Sequence, residues 1–416
     1  MPFHRAAGCS PSDSPRCESS QAAPARPLQQ VRTSCLQPRA LCASFVLHEL
    51  TGLPFAGGAY FPGFVLHELI FPTVTSPGEL WLLSFFSYSP SSQPVIVPRQ
   101  IGGLDRIPLI EAAAGRSHLL VLDAMGGVWS SGQGGCGQLG HGDEEFIAKP
   151  RLIAKLRADV DAVVQVAAGG DSSMVVTEAA EVLSFGNGAA GQLGHGSLAN
   201  ELTPKRIESI RSIAVRRVCV GGFHSAAVTN GGSVFWWGTH HSCPAGGATG
   251  LPYVCGENPL PVTVQVPGGE TICTISAGST HTLLVAKSGK LFALGSGSSG
   301  QLGCDPPRRT FKSCSEATFV SALGGVKVKH AECGILHSVV LTERGEVYTF
   351  GDGTRGALGH GRAEDELMPR RIEAFGSGVT NIVAGGLHTV VEREGGNLCG
   401  FGSFTPGFRT FEPVQF

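Results

Sequence analysis

The stretch from Ala113-Ala114-Gly115-Arg116-Ser117-His118 to Gly137-Gln138-Leu139-Gly140-His141-Gly142 decides the fold of this chain. Between its ends, two apolar segments flank Gly126-Gly127, which predicts two short strands joined by a turn. A glycine-rich loop then leads to Gly-Gln-Leu-Gly. Because most of the following sequence repeats this order, the stretch predicts a repeat architecture.

Two elements of the stretch recur along the chain. Gly-Gln-Leu-Gly returns at 191–194 and 300–303, and as Gly-Ala-Leu-Gly at 356–359. The Gly-x-x-His element has five copies, and Ser172 stands in the histidine slot of the second repeat. The slots at positions 118, 172, 224, 281, 337 and 388 are successively 54, 52, 57, 56 and 51 residues apart. A fixed period of this size is typical of propellers and arrays.

Each repeat contains four short strand candidates separated by glycine turns. In the second clear repeat they are Val163–Ala167, Ser173–Thr177, Val182–Phe185 and a segment near Arg206-Ile207. Counting the Pro-x-x-aliphatic endings from Pro98 onward gives seven units, of which the first is degenerate and six are clear from about residue 105. The sequence therefore predicts an all-β fold, a seven-bladed β-propeller over residues 78–416.

Residues 1–77 are predicted to form a disordered N-terminal extension, because they are low in complexity and show no hydrophobic period. Their first part carries five arginines against Asp13 and Glu18, so it also resembles an organelle transit peptide. The hexapeptide Phe-Val-Leu-His-Glu-Leu occurs at 45–50 and again at 64–69. Prolines flank both copies and neither is H-E-x-x-H, so we expect no metal site there.

Composition narrows the setting of the protein. The net charge of −2 offers no general attraction to nucleic acid. The longest apolar run, Leu80–Tyr88, is too short to cross a bilayer. Thirteen cysteines occur without any C-x-x-C pair, and there is no N-x-S/T acceptor. These features favour an intracellular protein of the cytoplasm or nucleus, with organelle import left open, and we expect a monomer without cofactor or metal.

The repeats resemble those of the regulator of chromosome condensation family over about residues 105–416, with a faint extension back to about 78. The shared order is an apolar strand, Gly-x-x-His-Ser/Thr, a second strand, a Gly-x-Val-Tyr-x-Trp/Phe-Gly strand, Gly-x-x-Gly-Gln-Leu-Gly and Pro-x-x-Ile. The resemblance implies a seven-bladed propeller. Its members include an exchange factor for a Ras-like nuclear GTPase that docks on chromatin, and interaction modules in ubiquitin ligases, kinases and ciliary proteins.

Several recurring residues are interpreted as structural. Four segments match G-x-G-x-x-G, but none leads into a helix start that would hold a pyrophosphate. The recurring aromatics Trp129, Phe185, Trp236, Phe292 and Tyr348 are expected to pack between blades at one strand slot. The histidines of the repeat are expected to bond backbone groups between blades. The structural set is Gly115, His118, Gly137, Gly140, Gly191, Gly194, His224, His281, Gly300, Gly303, Gly359 and His388.

Four residues are candidates for partner binding. In the exchange-factor members, acidic and histidine side chains of the Gly-x-x-His loops line the GTPase-binding face, and loop position carries this role to Asp171 and His337. After Gly238 the third repeat departs from the pattern with His240 and His241 in an irregular stretch. Two functions follow as hypotheses: an exchange factor or regulator of a small Ras-like GTPase, or a non-catalytic scaffold in a chromatin, ubiquitin-ligase or cytoskeletal context. Neither involves covalent catalysis.

Overall fold

A computed structural model describes residues 103–104, 107–239, 258–304, 314–405 and 408–415, together with the backbone of five strands between residues 48 and 100. The chain divides into two compact units, Met1–Arg39 and Ala40–Phe416. All described residues lie in the second unit, which is built from strands.

Six four-stranded antiparallel sheets, each in consecutive strand order, follow one another along the second unit. We call them blades 1 to 6. Their strands are β6 Leu109–Ala114, β7 His118–Asp123, β8 Val128–Gly132 and β9 Ile147–Leu152; β10 Val163–Gly169, β11 Ser172–Thr177, β12 Val182–Gly186 and β13 Glu201–Arg206; β14 Val215–Val220, β15 His224–Thr229, β16 Val234–Gly238 and β17 Asn258–Val264; β18 Ile272–Ala277, β19 His281–Ala286, β20 Leu291–Gly295 and β21 Cys314–Phe319; β22 Val328–Cys333, β23 His337–Thr342, β24 Val347–Gly351 and β25 Glu366–Arg371; and β26 Val379–Ala384, β27 His388–Arg393, β28 Leu398–Thr405 and β29 Phe408–Gln415.

Short helical segments connect the blades. Blade 1 is followed by the helix α1 Ala154–Asp159, and the next four connections among the described residues are 3₁₀ turns at Glu208–Ile210, Pro267–Gly269, Ser321–Leu323 and Glu373–Phe375. The first strands of successive blades contact one another, from β6 through β26. These strands therefore form the inner wall of the propeller, and the fourth strands lie outside.

The structure has six four-stranded blades, so the expected count of seven is not reproduced. The degenerate unit from residue 78 yields only β4 Leu80–Phe86 and β5 Val95–Gln100, which pair antiparallel. They belong to a five-stranded sheet with β1 His48–Glu49, β2 His67–Glu68 and β3 Thr73–Val74. The strand order, β1-β2-β4-β3 with β5 on β4, is not consecutive. The unit lacks both Gly-x-x-His and Gly-Gln-Leu-Gly. As shown below, those elements supply the contacts between blades, so their loss explains the irregular sheet.

The duplicated hexapeptide pairs with itself. Strand β1 His48–Glu49 pairs antiparallel with β2 His67–Glu68, with His48 opposite Glu68. Strand β2 then pairs with β4, and β3 Thr73–Val74 lies on the other side of β4. Part of the extension expected to be disordered therefore forms strands, whereas the rest of residues 1–77 lies outside the described residues.

The hydrophobic core lies between the blades and is divided among them. Each of the five clusters from blades 1–2 to blades 5–6 combines residues of two adjacent sheets. In blades 1 to 5 every residue of the second strand is buried. Because a fully buried Leu, Val or Phe side chain contributes about 1.5–3 kcal/mol, these inter-blade layers supply most of the stabilising burial.

The recurring aromatics occupy three strand positions, with Trp236 third in its strand, so the prediction of one slot was wrong. Trp129, Phe292 and Tyr348 stand second in the third strand of their blades, whereas Phe185 stands fourth. Positions two and four share a face because side chains alternate along a strand. The fourth position also holds Trp237, Phe350 and Phe401, and all four side chains there are fully buried.

The second glycine of Gly-Gln-Leu-Gly packs on the fourth-position aromatic of the next blade. Gly194 has a φ of +79°, and a Cβ placed on it would lie 2.9 Å from Trp237 Nε1 and 3.2 Å from Ile207 Cδ1. Gly140, Gly303 and Gly359 meet Phe185, Phe350 and Phe401 in the same way. The motif therefore needs glycine for two reasons: the left-handed backbone conformation and the ring of the neighbouring blade.

Replacing this glycine should destabilise the propeller. We expect Gly194→Val to lower the free energy of unfolding by more than about 1 kcal/mol, because valine strains the positive φ and collides with Trp237. Gly135→Val is the control, since a Cβ at exposed Gly135 meets nothing within 4 Å. Urea denaturation midpoints measure both variants, and equal midpoints would show that Gly194 has no special role.

Candidate functional site

Both kinds of recurring loop leave the same end of each blade. The Gly-x-x-His loop joins the first and second strands, and the loop containing Gly-Gln-Leu-Gly joins the third and fourth. His118 pairs with Gly132, and His224 with Gly238, across the second and third strands. The two loops therefore begin side by side. We call this end of the propeller the histidine-loop face.

Each Gly-x-x-His histidine with a described partner reaches a hydroxyl of the next blade. His118 Nε2 lies 2.8 Å from Ser173 Oγ, and the same hydroxyl donates to the carbonyl oxygen of Gln138 at 2.7 Å. Both loops of blade 1 thus hold one side chain of blade 2. The later histidine contacts are His224–Thr282 at 2.7 Å, His281–Ser338 at 3.0 Å and His337–Thr389 at 3.1 Å.

The carbonyl half of this joint recurs as well. Further hydroxyl-to-carbonyl bonds are Ser225 to Gln192 at 2.9 Å, Ser338 to Gln301 at 2.7 Å and Thr389 to Ala357 at 2.9 Å. A hydroxyl has one proton. When that proton is donated to the carbonyl, the oxygen accepts from the histidine, so the imidazole is neutral with its proton on Nε2. The sequence predicted that these histidines bond backbone groups between blades. In these joints the hydroxyl stands between the imidazole and the carbonyl. Burial lowers the pKa of His281 and of His337, and hydrogen bonds to the backbone of His337 and of His388, respectively, act in the opposite direction.

Burial keeps these histidines uncharged. Desolvation lowers the pKa of His118, His281 and His388 to about 3. It also lowers the pKa of His337 to about 4, although nearby Asp352 acts in the opposite direction. At neutral pH the joints therefore contain no histidine cation, which suits a hydrogen bond in the interior.

The glycine three residues before each histidine is where the imidazole ring rests. A Cβ on Gly115 would lie 2.1 Å from His118 Cε1, and one on Gly334 would lie 2.1 Å from His337 Cε1. No larger residue fits without moving the ring out of reach of its hydroxyl. The glycine and the histidine of Gly-x-x-His therefore pack together as a unit, and the two residues between them can face the surface.

His337 lies where a partner cannot reach it. Its side chain is 1% exposed and bonds Thr389 of blade 6. The expectation that it contacts a partner is corrected, since it has the same inter-blade role as His118. His240 and His241 lie outside the described residues. The residues Gly238 and Asn258, on either side of their segment, pair with each other at this end of blade 3.

Asp171 lies on the histidine-loop face and forms an ion pair across two blades. Its carboxylate is 3.5 Å from Arg116 Nη1, with side-chain exposures of 22% for Asp171 and 63% for Arg116. Nearby Cys136 has its pKa raised, first by burial and then by Asp171 and Glu144, while Arg116 lowers it. Blades 1 and 2 thus present a compact charged area with Arg116 at its outermost point.

Backbone hydrogen bonds connect neighbouring Gly-x-x-His loops. Arg116 N donates to Gly170 O at 2.7 Å. The further links are Gly222 to Gly278 at 3.1 Å, Ser279 to Ile335 at 3.3 Å and Ile335 to Gly386 at 3.0 Å. The x residues of blades 3, 5 and 6 are partly exposed Phe223, Leu336 and Leu387. These bonds hold the loops of blades 1 and 2, and those of blades 3 to 6, in fixed positions. The face is charged on blades 1 and 2 and carries apolar residues on blades 3, 5 and 6.

Other chemistries find no support among the described residues. No group of three or more His, Cys, Asp or Glu side chains there is placed to hold a metal ion. The described G-x-G-x-x-G segments each begin at the last residue of a third strand and lead through turns, without the helix start that a pyrophosphate needs. No described helix is long and apolar enough to cross a membrane.

Sequence reasoning missed the hydroxyls that complete the joints, although the sequence contains their signal. The residue after the histidine slot is Ser173, Ser225, Thr282, Ser338 or Thr389 in blades 2 to 6, but Leu119 in blade 1. A hydroxyl at this position serves the blade before it. The unit before blade 1 has no Gly-x-x-His loop, so an apolar residue suffices there.

Removing one hydroxyl should show the energy of the joint. We expect Ser173→Ala to lower the free energy of unfolding by about 2–3 kcal/mol, because His118 Nε2 and the Gln138 carbonyl both lose a buried partner. Ser225→Ala is the matched control. That joint has no histidine, and Trp237 Nε1 still donates to the Gln192 carbonyl at 2.8 Å. In urea denaturation, the free energy of unfolding of Ser225→Ala should exceed that of Ser173→Ala by at least about 1 kcal/mol. Equal losses of stability would show that His118 gains nothing from Ser173.

The buried histidines also predict acid sensitivity. Four of them titrate near 3 or 4 when folded, against 6.5 when unfolded. Unfolding therefore takes up protons as the pH falls below about 6.5, and each histidine removes roughly 1.4 kcal/mol of stability per pH unit in this window. Above it they contribute no pH dependence. Thermal melts from pH 8 to pH 4.5 test this, and His118→Gln should show a shallower decline; a melting temperature constant down to pH 5 would refute it.

Comparisons with known proteins agree with this geometry. The sequence model described as RCC1-like domain matches residues 128–407. The ultraviolet-B receptor UVR8 of Arabidopsis thaliana is 34% identical over 70% of this chain and 64% of its own. Human E3 ubiquitin-protein ligase HERC2 is 32% identical over 75% of this chain and 6% of its own. The chain thus spans less than two thirds of either relative.

Solved structures share the fold. Prp20p from Saccharomyces cerevisiae superimposes with a TM-score of 0.63 at 21% identity, covering 76% of this chain and 79% of Prp20p. At that identity the likeness establishes the architecture alone. Together with the inter-blade joints formed by the repeat residues, the match over most of the chain shows that this protein belongs to the RCC1-like domain family.

Proposed function

We propose that the chain is a protein-interaction module that binds its partner through the histidine-loop face, and that this partner is a small Ras-like GTPase whose nucleotide exchange it promotes or regulates. The observation that carries the proposal is the row of Gly-x-x-His loops, each hydrogen-bonded to a neighbouring loop, with the Arg116–Asp171 pair on blades 1 and 2. A surface that is already ordered loses little conformational entropy on binding.

The division of labour within each repeat supports binding at this face. The glycine and histidine of each Gly-x-x-His loop are used inside the fold, whereas the x residues differ from blade to blade and reach the surface. Charged Arg116 and Asp171 lie on blades 1 and 2, and apolar Phe223 and Leu387 lie on blades 3 and 6. An apolar area beside a charged one is the composition of a protein interface with an anchoring centre and a steering rim.

The irregular segment of the third repeat starts and ends at the same end of the propeller. It leaves β16 after Gly238 and returns at Asn258, and these two residues are opposite each other in the β16–β17 pairing. Residues inserted here are therefore attached at the histidine-loop face, close to the loop that carries Phe223. Such an insertion is where a partner-specific contact is expected.

A GTPase is the first candidate because of the family. Prp20p, whose fold this chain shares, is described by its binding to Gsp1p and histones. An exchange factor performs no covalent step and acts by binding the nucleotide-free GTPase more tightly than the loaded one. Accelerating release by about 10⁵ requires roughly 7 kcal/mol of differential binding, which demands a wide contact surface.

A non-catalytic scaffold is the second candidate. Asp171 is the single acidic residue among the loop positions, and Arg116 already neutralises part of its charge. The similarity to HERC2 supports this alternative, because the matching region is a small part of a much longer ubiquitin ligase. Chromatin docking has less support, since the net charge of −2 offers no general attraction to nucleic acid.

An intracellular setting is part of the proposal. The described cysteines Cys136, Cys219, Cys273, Cys304, Cys333 and Cys399 are all free thiols. Burial raises the pKa of Cys219 and Cys333, so these two remain unreactive thiols. A reducing compartment of the cell suits such a cysteine set.

Nucleotide-dependent capture separates the two candidates. Immobilised protein is incubated with lysate in magnesium and GTP or in EDTA, and bound proteins are identified. Retention of a small GTPase only after EDTA strips its nucleotide supports exchange activity. Partners retained equally in both conditions, with no GTPase among them, support the scaffold.

Asp171 should contribute to partner affinity and little to folding. We expect Asp171→Asn to weaken binding about tenfold or more, since a carboxylate facing a partner cation at an interface contributes about 2 kcal/mol or more on truncation. The melting curve should shift little, because a partly exposed surface substitution changes stability by about 0.5 kcal/mol.

Two further variants make this test specific. Arg116→Gln releases Asp171 from its ion pair and should leave binding unchanged or stronger. Glu208→Gln removes a carboxylate that pairs with Arg211 at the opposite end of the propeller and should leave binding unchanged. Equal partner affinity of the wild type and Asp171→Asn at low salt would show that Asp171 does not contribute to binding.

A further inference from the structure

The first strand of every blade carries an irregularity at the same place. In each described blade the register with the second strand shifts after the first residue, so that one residue is left over. Such a bulge bends the strand and redirects the side chains beside it. The residue after the bulge is polar in all six blades: Glu111, Gln165, Arg217, Thr274, His330 and Asn381.

These bulges surround a cavity near the axis. The cavity is small, ≈ 10 Å³ or room for about one water, and blades 1 to 5 all contribute to its lining, with Glu111, Gln165, Arg217, Ile275 and Glu332 among the residues. Each strand runs from the connection between blades towards its Gly-x-x-His loop. The lining residues stand third to fifth in these strands, so the cavity lies near the middle of the inner wall. The bulged residues beside it stand second and mark the side nearer the end opposite the histidine-loop face.

Most polar groups of the cavity are engaged within the protein. Glu332, 3% exposed, contacts His330 Nε2 at 2.6 Å and Ser276 Oγ at 3.2 Å. Gln165 exchanges two hydrogen bonds of 3.0 Å with the backbone of Val218. Glu111 accepts from Val166 N at 3.3 Å. Both carboxylates of the cavity therefore have polar partners.

Arg217 is the exception. Its side chain is partly buried beside the cavity, yet its guanidinium makes no hydrogen bond and no ion pair within the described part of the chain. A charge withdrawn from water without a partner is unfavourable. The arginine fork has five donors arranged to match a carboxylate, and here all of them are available.

Two more cations stand at the opening. Arg216 and Lys329 are the bulged residues of blades 3 and 5, and both are exposed. Arg216 donates to the Cys273 carbonyl at 2.7 Å and Lys329 to the Thr380 carbonyl at 3.3 Å. These bonds position both cations without neutralising them. The corresponding residue of blade 1 is Ile110, which is 40% exposed. We call these four residues, Arg217 included, the channel mouth.

We propose that the channel mouth binds an acidic peptide segment of a partner protein. One carboxylate meets the Arg217 guanidinium in the opening, flanking carboxylates meet Arg216 and Lys329, and an apolar side chain of the segment contacts Ile110. Charge-assisted pairs of this kind are the strong ones. A flexible acidic side chain suits the narrow opening, whereas a continuous polyphosphate would approach the carboxylates of Glu111 and Glu332.

Fluorescence anisotropy with a short fluorescein-labelled peptide of glutamates around one leucine tests this site in the full-length protein. We expect saturable binding that weakens with added salt. Arg217→Gln should weaken binding tenfold or more, and Arg217→Lys less, since the charge remains without the fork. Arg211→Gln is the matched control, because Arg211 is an exposed arginine already paired with Glu181 and Glu208. Melting curves should show both Arg217 variants folded.

Three outcomes would overturn the proposal. The peptide binds no better than a poly-lysine peptide of the same length; Arg217→Gln and Arg211→Gln weaken it equally; or a single-stranded oligonucleotide of the same charge binds more tightly, which would assign the mouth to nucleic acid. Asp171→Asn should leave peptide binding unchanged, so this test is independent of the proposed function of the opposite face.

Discussion

One hydroxyl group shared between two blades is the contact on which the rest of this propeller depends. At the joint of blades 1 and 2, Ser173 binds the Gln138 carbonyl and His118 together, and each of these comes from a different loop of blade 1. The joint closes only if both loops are correctly folded, so it couples the two recurring motifs. Its buried, uncharged histidine also links the integrity of the ring to pH.

The joints explain why the most conspicuous residues of the repeat are not the functional ones. Glycine and histidine of Gly-x-x-His, and both glycines of Gly-Gln-Leu-Gly, are used to hold one blade against the next. A partner can meet only what these motifs leave at the surface. On the histidine-loop face these residues are the charged pair Arg116 and Asp171 and the apolar residues of blades 3, 5 and 6, held in place by bonds between loops.

The two ends of the propeller differ in origin as well as in charge. The histidine-loop face is made by loops whose backbone is fixed by the repeat. The channel mouth is made by bulges in the inner strands, which place Arg216 and Arg217 beside the axis. The two proposed sites therefore use different residues and can be tested separately.

The sequence by itself determined the all-β propeller, the strands of each blade and the structural role of the repeat glycines and histidines. It could do so because these depend on local turn chemistry and on a fixed period. Ser173 and its counterparts were also readable, as a hydroxyl after each histidine slot except at Leu119. The number of blades could not be predicted, because the degenerate unit before blade 1 has the sequence pattern of strands but lacks the residues that join blades.

Only the tertiary structure decided which side chains meet across blades. His337 and Asp171 both stand in Gly-x-x-His loops, yet one is buried against Thr389 and the other is paired with Arg116, because neighbours more than fifty residues away set their surroundings. The unpartnered state of Arg217 likewise depends on bulges from five blades converging near the axis. Period and composition fix each blade, whereas burial and charge at a site arise only when the blades pack together.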